Sequence, residues 1–184
     1  MNIFILDTDP VIAAQSQCDK HVVKMVVESA QMLSTTHRMV DGIIGQRLSK
    51  NNRKIKTWKL RDDREQLLYK AVHMNHPCTV WTRESLSNYN WHYEHFIALC
   101  NEYTYRYNKV HATDKLLREA LKTAPTNIPL IGRTEFKLAM KNNPECINLN
   151  DTVQSYRDYY MTKQDRFAMV WQNKRSSPEW FVYR

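Results

Sequence analysis

Glycine is nearly absent from this chain: three residues in 184, at positions 42, 45 and 132. Neither a GxxxxGK[ST] phosphate loop nor a GxGxxG dinucleotide turn is present, which argues against both nucleotide-binding classes and points to helices with short connections. The four cysteines, Cys18, Cys78, Cys100 and Cys146, include no CxxC pair. No zinc framework is therefore visible, and free thiols in a reducing cytoplasm are expected. No run of about 18 apolar residues and no signal peptide occurs, so neither a membrane span nor a membrane partner is expected. Acidic residues are missing altogether from one stretch, residues 47–61.

That stretch, RLSKNNRKIKTWKLR, carries Arg47, Lys50, Arg53, Lys54, Lys56, Lys59 and Arg61 around Trp58. Cations this dense repel one another unless an anion lies among them, so the segment reads as a basic loop, mobile when unbound, that contacts phosphates. The whole chain has a net charge of +8 with ten tyrosines and five tryptophans. Phosphate contacts supply affinity and aromatic faces stack on bases, so the composition fits a nucleic-acid partner. A merely soluble basic protein has the same charge balance.

The segment that organises the rest is Cys18 to Val40, CDKHVVKMVVESAQMLSTTHRMV. At about 100° per residue, Val22, Val23, Val26, Val27, Ala30, Leu33 and His37 fall on one side. His21, Lys24, Glu28, Gln31 and Thr35 fall on the other, aligned by spacings of three and four. An imidazole, an ammonium and a carboxylate thus share one ridge. A solvated helix face with an ordinary Lys24–Glu28 pair would show the same pattern.

Elsewhere the chain reads as helices joined by turns. MNIFIL is a short extended or strand-like start; Asp9 caps a helix from Pro10 to about Ser16. Asp62 to His73 reads as a helix, which MNHP at 74–77 breaks, holding His76 in a turn with Pro77 opening the next helix. Pro77 to about Lys109 is helical and aromatic, with a break near Ser85–Ser87. Further helices are expected over 114–122, 133–141 and from Asp151 or Thr152 to Met161, continuing after a kink over 165–171. HYEH at 92–95 pairs two histidines, but no third ligand is evident, and no metal or cofactor is expected. The tail, RSSPEWFVYR, packs on the body or stacks on nucleic acid through Trp180 and Tyr183. The expected fold is all-α: residues 1–184 as a single-domain multi-helix bundle with a short extended N-terminal segment.

These groups suit a glycosylase-lyase, which uses an amine to attack the sugar C1′ and a carboxylate to manage protons. Glu28 is the carboxylate; Lys20, Lys24 or the α-amine of Met1 is the amine. A free α-amine titrates near about 8 and needs less activation than a lysine.

CDKHVVKMVVESAQ resembles the first helix of the phage endonuclease V type of pyrimidine-dimer DNA glycosylase, through Asp19, His21 and Glu28 in an Asp-x-His pattern with a glutamate seven residues on. His76 before a long helix with Glu102 and Arg106, and the ending Pro178, Trp180, Phe181, Tyr183, are similar to other patches of that family. The start, MNIF-LD-DP, also resembles a group of small phage proteins. The resemblance implies Glu28 as the catalytic carboxylate, an N-terminal amine that forms a Schiff base, a tail that faces DNA, and a protein of the host-cell cytoplasm. Two positions depart from the family: Val27 replaces the arginine before the glutamate, and Asn2 favours retention of Met1.

The expectation is therefore a DNA glycosylase or lyase acting on damaged or modified pyrimidines. Glu28, Met1, His21 and Lys24 form its catalytic set, and Arg53, Lys54, Lys56, His76, Arg83, Trp180 and Tyr183 contact nucleic acid. A non-enzymatic nucleic-acid-binding protein, another base- or nucleotide-modifying phage enzyme, and an inhibitor of a host protein are the rivals.

Overall fold

The computed structural model describes residues 1–184. Seven α-helices dominate: α1 Pro10–Gln15, α2 Asp19–Asp41, α3 Arg64–Leu67, α4 Pro77–Glu84, α5 Leu86–Tyr107, α6 Ala112–Leu117 and α7 Thr152–Met161. One core cluster of 32 buried residues draws on the chain from Ile3 to Phe181. Helices α2 and α5 lie at its centre, with α1 and α4 packed on α5. No helix is long and apolar enough to cross a membrane.

Local chemistry sets the helix starts. Asp9 accepts the N–H of Val11 and Ile12 at the head of α1, and Asp151 accepts that of Gln154 at the head of α7. His76 caps α4 through Nδ1, which accepts the Cys78 N–H, with Pro77 in the first helical position. Ser85 ends α4 and caps α5, the expected break. Asp19 is not a cap. It is buried, and its carboxylate receives Arg106 of α5, the Gln172 N–H and the Asn173 amide.

The fold is not strictly all-α. Residues 47–61 are not a loop but most of a β-hairpin, β1 Ile43–Leu48 against β2 Lys54–Lys59, antiparallel with Gln46 opposite Lys56. β-Branched and aromatic residues (Ile43, Ile44, Ile55, Thr57, Trp58) favour the pleated form. Asn52, at φ 55°, closes the turn, in which the Ser49 N–H donates to the Arg53 carbonyl. The ribbon stands out from the body, with only Trp58 of its strand residues buried. Gly42 joins it to α2: a Cβ there would lie 2.2 Å from the Arg38 carbonyl oxygen.

The helix expected over 62–73 is only one turn, α3. Beyond it the backbone is claimed by α2. The buried Arg38 guanidinium donates to the carbonyls of Trp58, Glu65, Leu68 and Tyr69 and pairs with the Glu65 carboxylate. Thr35 Oγ1 exchanges two hydrogen bonds with the backbone of Val72. Residues 60–76 therefore form a strap that runs back along the polar ridge of α2. The ridge is an interface more than a solvated face, with His21 and Thr35 buried, while Val23 on the expected apolar side is exposed.

The segment expected as a helix over 133–141 has no regular secondary structure, for a similar reason. Thr134 donates its N–H to Asn88, and the carbonyls of Thr134, Lys137 and Ala139 accept from Trp81, Tyr156 and Asn2. After α7 a 3-10 turn, Thr162–Asp165, takes the place of a continued helix, and residues 167–171 are irregular.

Candidate active site: a cationic cleft around Glu28

The N-terminal segment is buried, with Ile3, Ile5 and Leu6 at most 1% exposed. Phe4 has φ 55°, a strained backbone for a residue with a Cβ. Asn2 holds this bend by accepting the Phe4 N–H at 2.9 Å. The bend brings the chain start against α2. There the Asn2 N–H donates to Glu28 Oε2 at 3.0 Å and the Met1 α-amine stands 3.6 Å from the same oxygen. Lys24, one turn earlier on α2, reaches Glu28 Oε1 at 3.1 Å.

These groups line a cleft of about 310 Å³ together with Lys20, His21, Tyr159, Lys163, Arg166 and Phe167. The volume is at the low end of small-molecule sites, roughly 300–1,000 Å³. All four residues expected to be catalytic, Met1, His21, Lys24 and Glu28, are thus brought together. Five cationic groups face one carboxylate.

His21 is nine-tenths buried between Phe4, stacked at 5.0 Å, and Phe167, edge-on at 5.3 Å. Burial, and then the charges of Lys24, Lys163 and Lys20, push its pKa down to about 3, so the ring is neutral at pH 7. The Tyr160 hydroxyl accepts the Cys18 N–H and lies 2.7 Å from His21 Nδ1. Burial holds this phenol well above its usual pKa, so it donates its proton to Nδ1 and leaves the His21 proton on Nε2. His21 is a neutral wall of the cleft.

His76 stands on the other side of Met1, in an adjoining depression of about 260 Å³ that shares Met1 and Tyr159 with the cleft. Burial, followed by the charge of the α-amine, lowers the pKa of its ring. His76 thus lies beside the chain start while its Nδ1 caps α4.

The other expected contacts lie elsewhere. Arg53, Lys54 and Lys56 are exposed on the hairpin. About 20 Å of α2 separates Glu28 from the hairpin root, at 1.5 Å per residue. Arg83 is half-buried and donates to the Met74 carbonyl at 2.6 Å, bracing the turn before His76. Trp180 packs edge-on to Tyr160 with Arg157 over its ring, and Tyr183 packs against Phe181 while remaining 60% exposed. Glu102 and Arg106 are buried partners at 2.7 Å. His92 and His95 are buried, bonded to Thr82 and to the Pro10 carbonyl, and no group of three or more His, Cys, Asp or Glu side chains is placed to hold a metal.

Sequence reasoning missed Lys163 and Arg166, which complete the cleft from the turn after α7. A lysine in a polar run, YYMTKQDR, gives no sign that it will be buried. Comparison with known proteins finds no match: no family model, no curated protein and no solved structure matches the chain.

Proposed function

We propose that the cleft is the active site of a DNA glycosylase-lyase acting on damaged or modified pyrimidines. The observation that carries this reading is the convergence of an α-amine and a carboxylate, Met1 N and Glu28 Oε2 at 3.6 Å, in a cleft whose other charged groups are all cations. The likeness of Asp19, His21 and Glu28 to the endonuclease V pattern supports it.

The reaction follows from those two groups. Glu28 takes a proton from the ammonium, and the freed amine attacks C1′ of the nucleotide sugar. The N–C1′ bond forms as the glycosidic bond breaks, and the base leaves with the bonding electron pair and takes up the proton that the attacking nitrogen sheds. Opening of the sugar ring, with a proton delivered to its O4′ by the Glu28 carboxyl, gives an iminium. Loss of a C2′ proton then expels the 3′ phosphate, and water releases the amine. Lys24, paired with Glu28, holds the carboxylate in place. The Asn2 N–H does the same from the other side.

Borohydride trapping tests the reading. Purified protein is incubated with duplexes containing an abasic site or a thymine dimer, reduced, and examined for a covalent protein–DNA band. The expected band is lost on acetylation of the α-amine, and mass spectrometry places the adduct on the first residue. Glu28→Gln retains the fold, because its amide oxygen still accepts from Asn2, and lowers turnover about 10²–10⁴-fold. Binding without a band on either duplex overturns the amine mechanism and leaves a nucleic-acid-binding protein.

A further inference from the structure

Lys163 is 6% exposed, yet no carboxylate lies within ion-pair reach of its ammonium and no acceptor bonds it. Lysine is almost never buried without a partner. Its Nζ sits 3.3 Å from the centroid of the Tyr159 ring, which offers only the weak attraction of an aromatic face. Burial, and then the charge of Arg166, draw its pKa down to about 8, so it still carries a proton at neutral pH. The side chain lines the cleft.

It is not alone there. Lys20, with Nζ 4.4 Å from the Phe167 centroid, and the exposed Arg166 line the same wall and form no ion pair. The one carboxylate of the cleft, Glu28, is already shared between the Met1 α-amine and Lys24. Three cations therefore converge with no counter-charge, an arrangement that costs energy when empty and that an anion relieves. Partial enclosure lowers the local dielectric and strengthens the attraction. Two further features narrow the class of anion. Arginine beside lysine suits the several oxygens of a phosphate. The rings of Tyr159 and Phe167 next to them suit an aromatic or sugar-bearing neighbour of that phosphate.

We propose that Lys163, Lys20 and Arg166 form a phosphate seat that takes a backbone phosphate of the DNA strand next to the sugar in the cleft. The position beside an attacked sugar rests on the lyase reading; the seat does not. The same chemistry would bind the phosphate of a free nucleotide, and the two sources are separable.

The experiment measures binding by calorimetry, at fixed salt, of a short duplex with a tetrahydrofuran abasic analogue and, separately, of thymidine 5′-monophosphate. The analogue lacks the C1′ hydroxyl and forms no Schiff base, so a failure of the lyase chemistry leaves this readout intact. Lys163→Gln is expected to weaken duplex binding at least tenfold, with Lys163→Arg restoring most of it. Arg166→Gln, a change at an exposed position, is expected to weaken it about three- to fivefold and serves if Lys163→Gln fails to fold. Weaker binding of the mononucleotide with unchanged duplex binding overturns the assignment to the strand and makes the seat one for free nucleotides. Unchanged binding of both ligands in the variants overturns the seat.

Discussion

Thr35 Oγ1 accepts the Val72 N–H at 3.1 Å and donates to the Val72 carbonyl at 3.2 Å. One hydroxyl thus satisfies both backbone groups of a strap residue and fixes it to the middle of α2. Thr35→Val keeps the shape and leaves both groups without a partner. The expected cost is about 1–3 kcal/mol, read as a shift in the urea midpoint, with Thr35→Ser close to the parent protein. Because the strap leads to His76, the same variant is expected to lower trapping more than Val23→Thr, a change at an exposed position of α2.

Arg106 ties three parts of the chain together. Its guanidinium donates to Asp19 at 2.9 Å, to Glu102 at 2.7 Å and to the Gln15 carbonyl at 3.0 Å, with Arg175 of the tail on the same Glu102. Burial alone would raise the Asp19 pKa, but the Gln172 N–H, the Asn173 amide and Arg106 hold it low. Breaking a buried pair by removing one partner costs about 3–5 kcal/mol. Arg106→Met is expected near the lower end, since Glu102 keeps Arg175 and Asp19 keeps Gln172 and Asn173. Chemical denaturation measures it.

The hairpin carries its charge where removal costs little stability. Arg53, Lys54 and Lys56 are exposed and make no ion pair. Replacing all three with serine is expected to leave the melting temperature within about 1 °C. Each lost phosphate contact lowers the slope of log K against log salt by about 0.9, so a drop of up to about 2.7 is expected on duplex DNA. An unchanged slope would remove the hairpin from the DNA interface.

Acid is expected to unfold the protein through its histidines. Burial pushes the pKa of His21 to about 3, of His37 and His95 to about 4, and of His92 well below its ordinary value. In the unfolded chain each titrates near about 6.5, so between that value and the folded values the unfolded state binds more protons. Stability is therefore full above pH 6.5 and falls as the pH drops toward 3, with close to four protons taken up on unfolding near pH 5. Each contributes a slope of about 1.4 kcal/mol per pH unit. Urea midpoints between pH 7 and 4.5 read this directly; a flat profile would mean that these rings are accessible to protons in the folded state.

Periodicity and capping residues carried much of the fold in legible form. The 3.6-residue pattern located α2 and α5, and Asp9, Pro10, His76 and Pro77 marked helix starts that the structure keeps. The hairpin was hidden because its charge density suggested disorder, whereas Ile43, Ile44, Ile55 and Trp58 held the strand signal. The strap and the 133–141 segment carry a helical pattern, and nothing local shows that Arg38, Thr35, Asn2 and Trp81 bind their backbones from elsewhere. In the cleft, one helix face declared His21, Lys24 and Glu28. Lys163 and Arg166 come from more than 130 residues away, a distance that no spacing rule on a single helix spans.

The burial of the chain start also bears on the order of synthesis. Residues 1–6 are made more than 130 residues ahead of several groups that hold them: Ala139 accepts from Asn2, Arg157 donates to the Leu6 carbonyl, and Tyr160 packs on Phe4. Until α7 has emerged, the apolar run Ile3–Leu6 has no permanent home, and α2 lacks the partner that closes its Glu28 side. Completion of the cleft thus waits for α7 and the turn after it, and a nascent chain stalled before residue 150 would present that run to chaperones.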